Sequence, residues 1–164
     1  MYLWIDPWIR KLWYGLIDEH NSVVDAGILL LDQKSPQRTD QFKRMQEIYT
    51  FFEQMLNTHR ISAVGVEKLY FTKYNQSNAE FVYGVRGALS MLFVDSGIAL
   101  YEYTPAELKK RITGNGQASK TLMVNVVTKL FALEQRLTYH DAADALGLAR
   151  IVKQIEERSA LAVR

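Results

Sequence analysis

Apolar and polar positions alternate over the first thirty residues, and a rhythm of three to four takes over after residue 40. Tyr2 to Ile5, Leu12 to Ile17 and Val23 to Leu31 read as short strands, with turns at Asp6-Pro7 and Glu19-His20-Asn21. Ser35-Pro36 opens a loop. From Asp40 to His59 the apolar positions are Phe42, Met45, Ile48, Tyr49, Phe52 and Leu56, the spacing of an amphipathic helix. Ile61 to Val66 is a short β-branched run that ends on a charge, Glu67, and reads as a buried strand. A long helix is predicted from about Ser77 to Asp95, stopped by Ser96-Gly97, and Ile98 to Tyr103 is another strand. Thr104-Pro105 with Glu107 forms a helix start: a capping hydroxyl, a proline in the first turn and an acid three residues on. After the loop Thr113-Gly114-Asn115-Gly116, helices are predicted at about Ser119 to Leu133 and His140 to Arg158. Three strands, then alternating helix and strand, then helices, imply an α/β fold: one mixed sheet with helices on its faces.

Composition narrows the chemistry. A chain of 164 residues can bury a core without disulfides or a structural metal, and it contains no cysteine. Thiolate zinc sites and thiol nucleophiles are therefore excluded, and the composition suits a reducing cytosol. No apolar run reaches the roughly 20 residues of a membrane span, and the N-terminus lacks the pattern of a signal peptide. These features predict a soluble, cytoplasmic protein. The net charge of +2 does not announce a nucleic-acid partner. Lys109, Lys110 and Arg111 are consecutive, and Lys120 follows the Gly- and Asn-rich loop. Read alone, they are solvated helix charges; they gain meaning only beside a group that needs phosphates.

Four acids fall where chemistry is expected. Asp6 ends the first strand and Glu67 the fourth, and ligands reach open α/β sheets at the carboxyl ends of strands. Asp141 and Asp144 lie three apart at the start of the last helix, on one face, among small alanines. Carboxylates without cysteine and with few histidines suit a hard cation bound through oxygen. Two such ions can activate a water and stabilise the leaving oxygen of a phosphoryl displacement. Taken singly, each acid has a plainer reading as a turn cap, a solvated strand end or a partner of the helix dipole. Their joint placement favours the cluster.

These residues resemble the RuvC-type Holliday-junction resolvases of the ribonuclease-H-like superfamily. Ile5-Asp6-Pro7 with Tyr14-Gly15 looks like the first motif of that family, and Val66-Glu67-Lys68-Leu69-Tyr70-Phe71 with Lys73 and Asn75 like the second. Tyr83-Gly84-Val85-Arg86-Gly87 matches its glycine-rich stretch. Tyr101 to Pro105, Lys109-Lys110, Thr113 to Gly116 and Lys120 follow in order, and Asp141-Ala142-Ala143-Asp144-Ala145-Leu146 is similar to its last signature. The likeness covers residues 1 to about 150.

The resemblance implies a mixed five-stranded sheet, its first three strands antiparallel, flanked by helices. It implies a single nuclease domain over residues 1–158 with a short tail at 159–164. Asp6, Glu67, Asp141 and Asp144 are the implied catalytic ligands of two Mg²⁺ ions, with Mn²⁺ able to substitute. The implied partners are a four-way DNA junction, a second copy of the chain docked through the long helix, and the RuvA–RuvB branch-migration complex, with no membrane. Tyr70 matches an aromatic that relatives press against bases at the junction centre, where stacking is worth about 1–3 kcal/mol; its plainer reading is core packing beside Leu69 and Phe71. Lys73, Lys109 and Lys120 are the implied phosphate contacts. Arg86 serves either DNA or the packing of the long helix, and the sequence leaves both open. His140 stands beside Asp141, where some relatives carry histidine in place of that acid, and its role is also open.

One departure matters. All three tryptophans, Trp4, Trp8 and Trp13, stand where the family carries glycine. Glycine serves unusual torsions or close approach, whereas tryptophan is the largest side chain. The coincidence suggests that the source lineage reads UGA as glycine. It also leads to an expectation that tryptophan strains these positions, and that Trp8 crowds the approach to Asp6. The competing functions are a non-catalytic junction-binding relative whose site the tryptophans block, and a ribonuclease-H-like enzyme acting on RNA. A sugar-kinase-like ATPase would need glycine-rich phosphate loops that this chain lacks. Retention of all four acids favours the active resolvase.

Overall fold

The computed structural model describes residues 1–8, 10–31, 38–68, 79–131 and 140–162, excepting the side chains of 38, 140–145 and 158–162. Strands β1 (Tyr2–Asp6), β2 (Lys11–Ile17) and β3 (Val23–Leu30) form an antiparallel meander. Helix α1 (Arg38–Thr58) leads to β4 (Ala63–Glu67), and α2 (Ala79–Asp95) to β5 (Ala99–Tyr103). Helices α3 (Pro105–Thr113), α4 (Lys120–Leu130) and α5 (His140–Ala162) complete the order. The sheet runs β3-β2-β1-β4-β5, with β4 parallel to both β1 and β5. The expected mixed sheet, antiparallel in its first three strands, is therefore what forms. Several boundaries shift by one or two residues, and larger shifts fall at the last helices: α4 stops at Leu130, and α5 continues past Arg158 to Ala162.

Strand alternation divides the core in two. Leu3, Ile5, Leu12, Tyr14, Leu16, Val64 and Val66 join Ile48 and Phe52 of α1 and Val82, Leu89 and Phe93 of α2. The opposite set, Trp4, Ile17 and Ala63, packs on α5 through Leu146, Leu148, Ala149, Ile151 and Val152, with Val124 and Val127 of α4 behind. Within the first cluster the Tyr14 hydroxyl donates to Asp25 at 3.0 Å, and burial together with that carboxylate pushes its pKa up to about 12.

The β2–β3 turn shows how local chemistry fixes the frame. Asp18 accepts from the amides of His20 and Ser22 at 2.8 and 2.7 Å, and Asn21 adopts φ 64°. Lys153 of α5 is buried and donates to the Glu19 carbonyl and, at 3.2 Å, to Asn21 Oδ1. That contact ties the last helix to the first hairpin.

The strain expected at the tryptophans is not found. Asn21 is the only non-glycine residue with positive φ among those described, so Trp4, Trp8 and Trp13 have ordinary torsions. Trp4 is fully buried in β1 and stacks on Tyr103 at 6.3 Å, and Trp13 is buried in β2. The ring of Trp4 fits because Gly65 faces it: a Cβ on Gly65 would stand 2.1 Å from the ring.

Candidate active site

Parallel pairing of β1 and β4 sets the geometry. Ile5 is in register with Val66, so Asp6 and Glu67, one residue further on, end neighbouring strands at the same edge of the sheet. Adjacent strands lie about 4.8 Å apart, which brings both acids into one small region. Alternation places them on the face where Trp4, Ala63 and α5 pack, opposite Leu3, Ile5, Val64 and Val66. Both are half-buried. The Oδ1 atom of Asp6 is shielded from solvent and receives no hydrogen bond, while other interactions involve the residue. The chain turns directly after β1, where the Trp8 amide donates to the Asp6 carbonyl at 3.0 Å.

The walls come from the last three helices. Glu67 lines a small pocket with Pro105, Leu108 and Lys109 of α3, Met123 of α4 and Leu148 of α5. Asp144 precedes Leu148 by four residues and Asp141 precedes it by seven, so all three occupy one stripe of α5. Leu148 of α5 therefore reaches the strand end that carries Glu67, and the helix turns before it carry Asp141 and Asp144 in sequence. The side chains of Asp141, Asp144 and His140 lie outside the described residues, as do Tyr70 and Lys73 entirely. Among the described residues no group of three or more His, Asp or Glu side chains gathers to hold a metal, since Asp6 and Glu67 are two of the four acids concerned.

Helix α3 is fixed for this purpose by its ends. Thr104 caps it through a full capping box: its hydroxyl accepts from the Glu107 amide, and its own amide donates to the Glu107 carboxylate at 2.8 Å. These bonds hold the Glu107 carboxyl below its usual range. Gly114 ends the helix at φ 81°, a left-handed torsion that suits glycine. The backbone of β5 reaches the same corner, where the Lys68 amide donates to the Tyr103 carbonyl at 2.7 Å.

The remaining predicted contacts divide. Lys109 borders the Glu67 pocket, and Lys120 is exposed at the first turn of α4, after the Ser119 cap. Arg86 sits on α2 and pairs with Glu102 of β5, away from that pocket, so the packing alternative left open by the sequence has a partner. The sequence reading did not single out Leu108, Met123 or Leu148, because nothing in an apolar helix position distinguishes a site wall from ordinary core.

A mixed five-stranded sheet with carboxylates at the ends of its central parallel strands, and a final helix laid across them, is the ribonuclease-H-like nuclease arrangement. A family model described as "Crossover junction endodeoxyribonuclease RuvC" matches residues 2–152. A protein of that description from Heliobacterium modesticaldum is 33% identical over 147 residues, covering 90% of each chain. Another, from Clostridioides difficile, is 31% identical over 150 residues, covering 90% of this chain and 86% of the relative. The Thermus thermophilus RuvC structure superposes with a TM-score of 0.74 at 24% identity over 90% of both chains. The same protein solved with a Holliday junction substrate gives 0.75 at 24% identity over 91% of both. The chain belongs to the RuvC family of crossover junction endodeoxyribonucleases.

Proposed function

We propose that this chain is a Mg²⁺-dependent resolvase that nicks two opposed strands of a four-way DNA junction, acting as a homodimer. The observation that carries the reading is the register of β1 against β4, which sets Asp6 and Glu67 side by side at one edge of the sheet. The donor set fits the ion: the acids offer only oxygen, and the chain has no cysteine to favour a softer metal. Asp6, Glu67, Asp141 and Asp144 would hold it. When bound, two such ions activate a water and stabilise the leaving oxygen of the phosphodiester.

The other groups act on the DNA. Lys109, beside Glu67, neutralises a phosphate that enters an otherwise acidic site. Lys120 adds a backbone contact, Tyr70 stacks on bases at the junction centre, and Lys73 contributes to DNA binding. Phosphate contacts of this kind supply affinity independent of sequence. The second copy docks on α2, which exposes Tyr83, Met91 and Val94, with Phe42 of α1 exposed as well. A paired nick requires two such sites, one per copy. No helix among the described residues is long and apolar enough to cross a membrane. We place this activity in the cytoplasm, beside the RuvA–RuvB complex.

Incubation with a synthetic four-way junction and Mg²⁺, with linear duplex as control, tests the reading. Asp6→Asn, Glu67→Gln, Asp141→Asn and Asp144→Asn should each abolish cutting and leave junction binding intact, because the phosphate contacts lie elsewhere. Loss of binding together with cutting would assign these acids to structure instead.

A further inference from the structure

Helices α3 and α5 each carry residues past the Glu67 pocket into a second cleft. Leu108 and Lys109 border the first, and Arg111 and Ile112 the second; on α5 the corresponding residues are Leu148 and then Arg150 and Gln154. The second cleft has a volume of about 130 Å³ and is closed at one end by Leu130 of α4. Its depth comes from Gly147. A Cβ there would stand 2.7 Å from Ile112 and 2.8 Å from Val127, so the missing side chain lets the three helices close together.

Two guanidinium groups face this space. Arg150 donates one N–H to the Leu130 carbonyl at 3.3 Å, at the C-terminal end of α4. The Arg111 guanidinium sits over the Tyr103 ring, 5.1 Å from its centre. Each is steadied at one point, and a guanidinium carries five N–H donors in a planar fork. Among the described residues neither forms a salt bridge. The acid nearest Arg111 on its own helix, Glu107, is engaged in the α3 cap. Two steadied arginines in one cleft, neither in a salt bridge among the described residues, suit a phosphate oxygen pair.

We infer that the Arg111–Arg150 cleft is a second phosphate seat, holding the backbone of a junction arm a few nucleotides from the bond that is cut. The inference rests on the resolvase reading above. Six residues separate Asp144 from Arg150, about 9 Å of helix rise. One strand of duplex advances about 3.4 Å along the duplex axis per phosphate, so for an arm aligned with α5 the offset spans two to three nucleotides. The cleft thus continues the path of a strand whose scissile phosphate lies at Glu67.

The test is the salt dependence of binding by the full-length protein to a labelled four-way junction, without divalent metal, from about 50 to 200 mM salt. R111Q/R150Q should weaken binding about tenfold at the low end. The slope of log affinity against log salt should fall by about 0.9 for the phosphate lost. R111K/R150K should keep the slope, since the charge remains. Arg111 is exposed, so R111Q alone folds and serves if the double variant does not; thermal melting verifies this. An unchanged slope in both glutamine variants overturns the second seat while leaving the resolvase reading standing. A parent protein that does not prefer the junction to linear duplex defeats that reading, and this inference with it.

Discussion

The two faces of the sheet are packed by different rules. Against α1 and α2 the strands present Leu, Ile, Val and Tyr, and the helices answer with Phe52, Phe93 and other large side chains in edge-to-face contacts. Against α5 the strands present Trp4, Ile17, Ala63 and Gly65, and the helix answers with Leu148, Ala149, Ile151 and Val152, while its Gly147 faces Ile112 of α3 and Val127 of α4. The first face is thick, covered by two helices, and its cost of change is spread over many contacts. The second is thin in that one helix covers it directly, so a shift in α5 passes to the helix turns bearing Asp141 and Asp144. Stability and catalytic geometry are therefore separable by face.

The sharpest break of that contrast is Phe52→Ala on the thick face. Phe52 is fully buried and touches both Tyr14 and Phe93, so its loss should cost about 3–5 kcal/mol in denaturant unfolding. Junction cleavage per folded molecule should stay close to the parent. Cleavage that fell in proportion to stability would show that the two faces are not independent.

On the thin face the outsized residue is Trp4, whose ring lies against Gly65 alongside Val152 of α5. Glycine at position 4 would remove the largest side chain of this face. Trp8, half-buried and two residues past Asp6, packs against the core of the first face and so bears on the acids through the turn that follows β1. We expect Trp4→Gly, Trp8→Gly and Trp13→Gly together to raise cleavage, on the order of 100-fold, with Trp8→Gly giving the largest single gain. Peptide masses from the source cells should show glycine at all three positions if UGA is read that way. A stability loss of about 3–5 kcal/mol for Trp4→Gly, the usual cost of emptying a buried aromatic site, would make the tryptophans native.

Gly147→Val attacks α5 from its other side, where the helix meets α3 and α4. Its branches would meet Ile112 and Val127 within van der Waals distance, and overpacking of this kind costs about 1–3 kcal/mol. Because α5 must move outward, cleavage should fall further than stability, the reverse of Phe52→Ala. Equal losses would mean that α5 yields without carrying its acids away.

Much of this was legible in the sequence, for identifiable reasons. Period-two runs and turn residues located the strands, and Thr104-Pro105 with Glu107 located the start of α3. The strand-terminal acids Asp6 and Glu67 needed only the parallel order of β1 and β4 to become neighbours. What could not be read was depth. The partnership of Gly65 with Trp4, the torsions of the tryptophans and the pairing of Arg86 with Glu102 join residues distant in the chain. Arg111 read as one of three consecutive charges, and Arg150 as an ordinary helix residue; only the closeness that Gly147 permits sets them across one cleft.

The smallest effect is expected at the corner where both faces meet β5. Thr104 caps α3 with its hydroxyl, which accepts from the Glu107 amide at 3.2 Å and donates to the Glu107 carboxylate at 2.8 Å. Thr104→Ala should cost about 1 kcal/mol near neutral pH, and should loosen Leu108 and Lys109 at the pocket wall. The pH dependence has a definite sign. Glu107 is held below its usual value of 4.5, mainly by the Thr104 amide and then by its hydroxyl. Its contribution is present above 4.5 and is lost as pH falls through the lower folded value. The difference between parent and variant should therefore be full at neutral pH and shrink in acid, below 4.5, as the carboxylate takes up its proton. Unfolding curves across that range measure it, and a constant difference at every pH would show that the hydroxyl caps the helix without help from the charge.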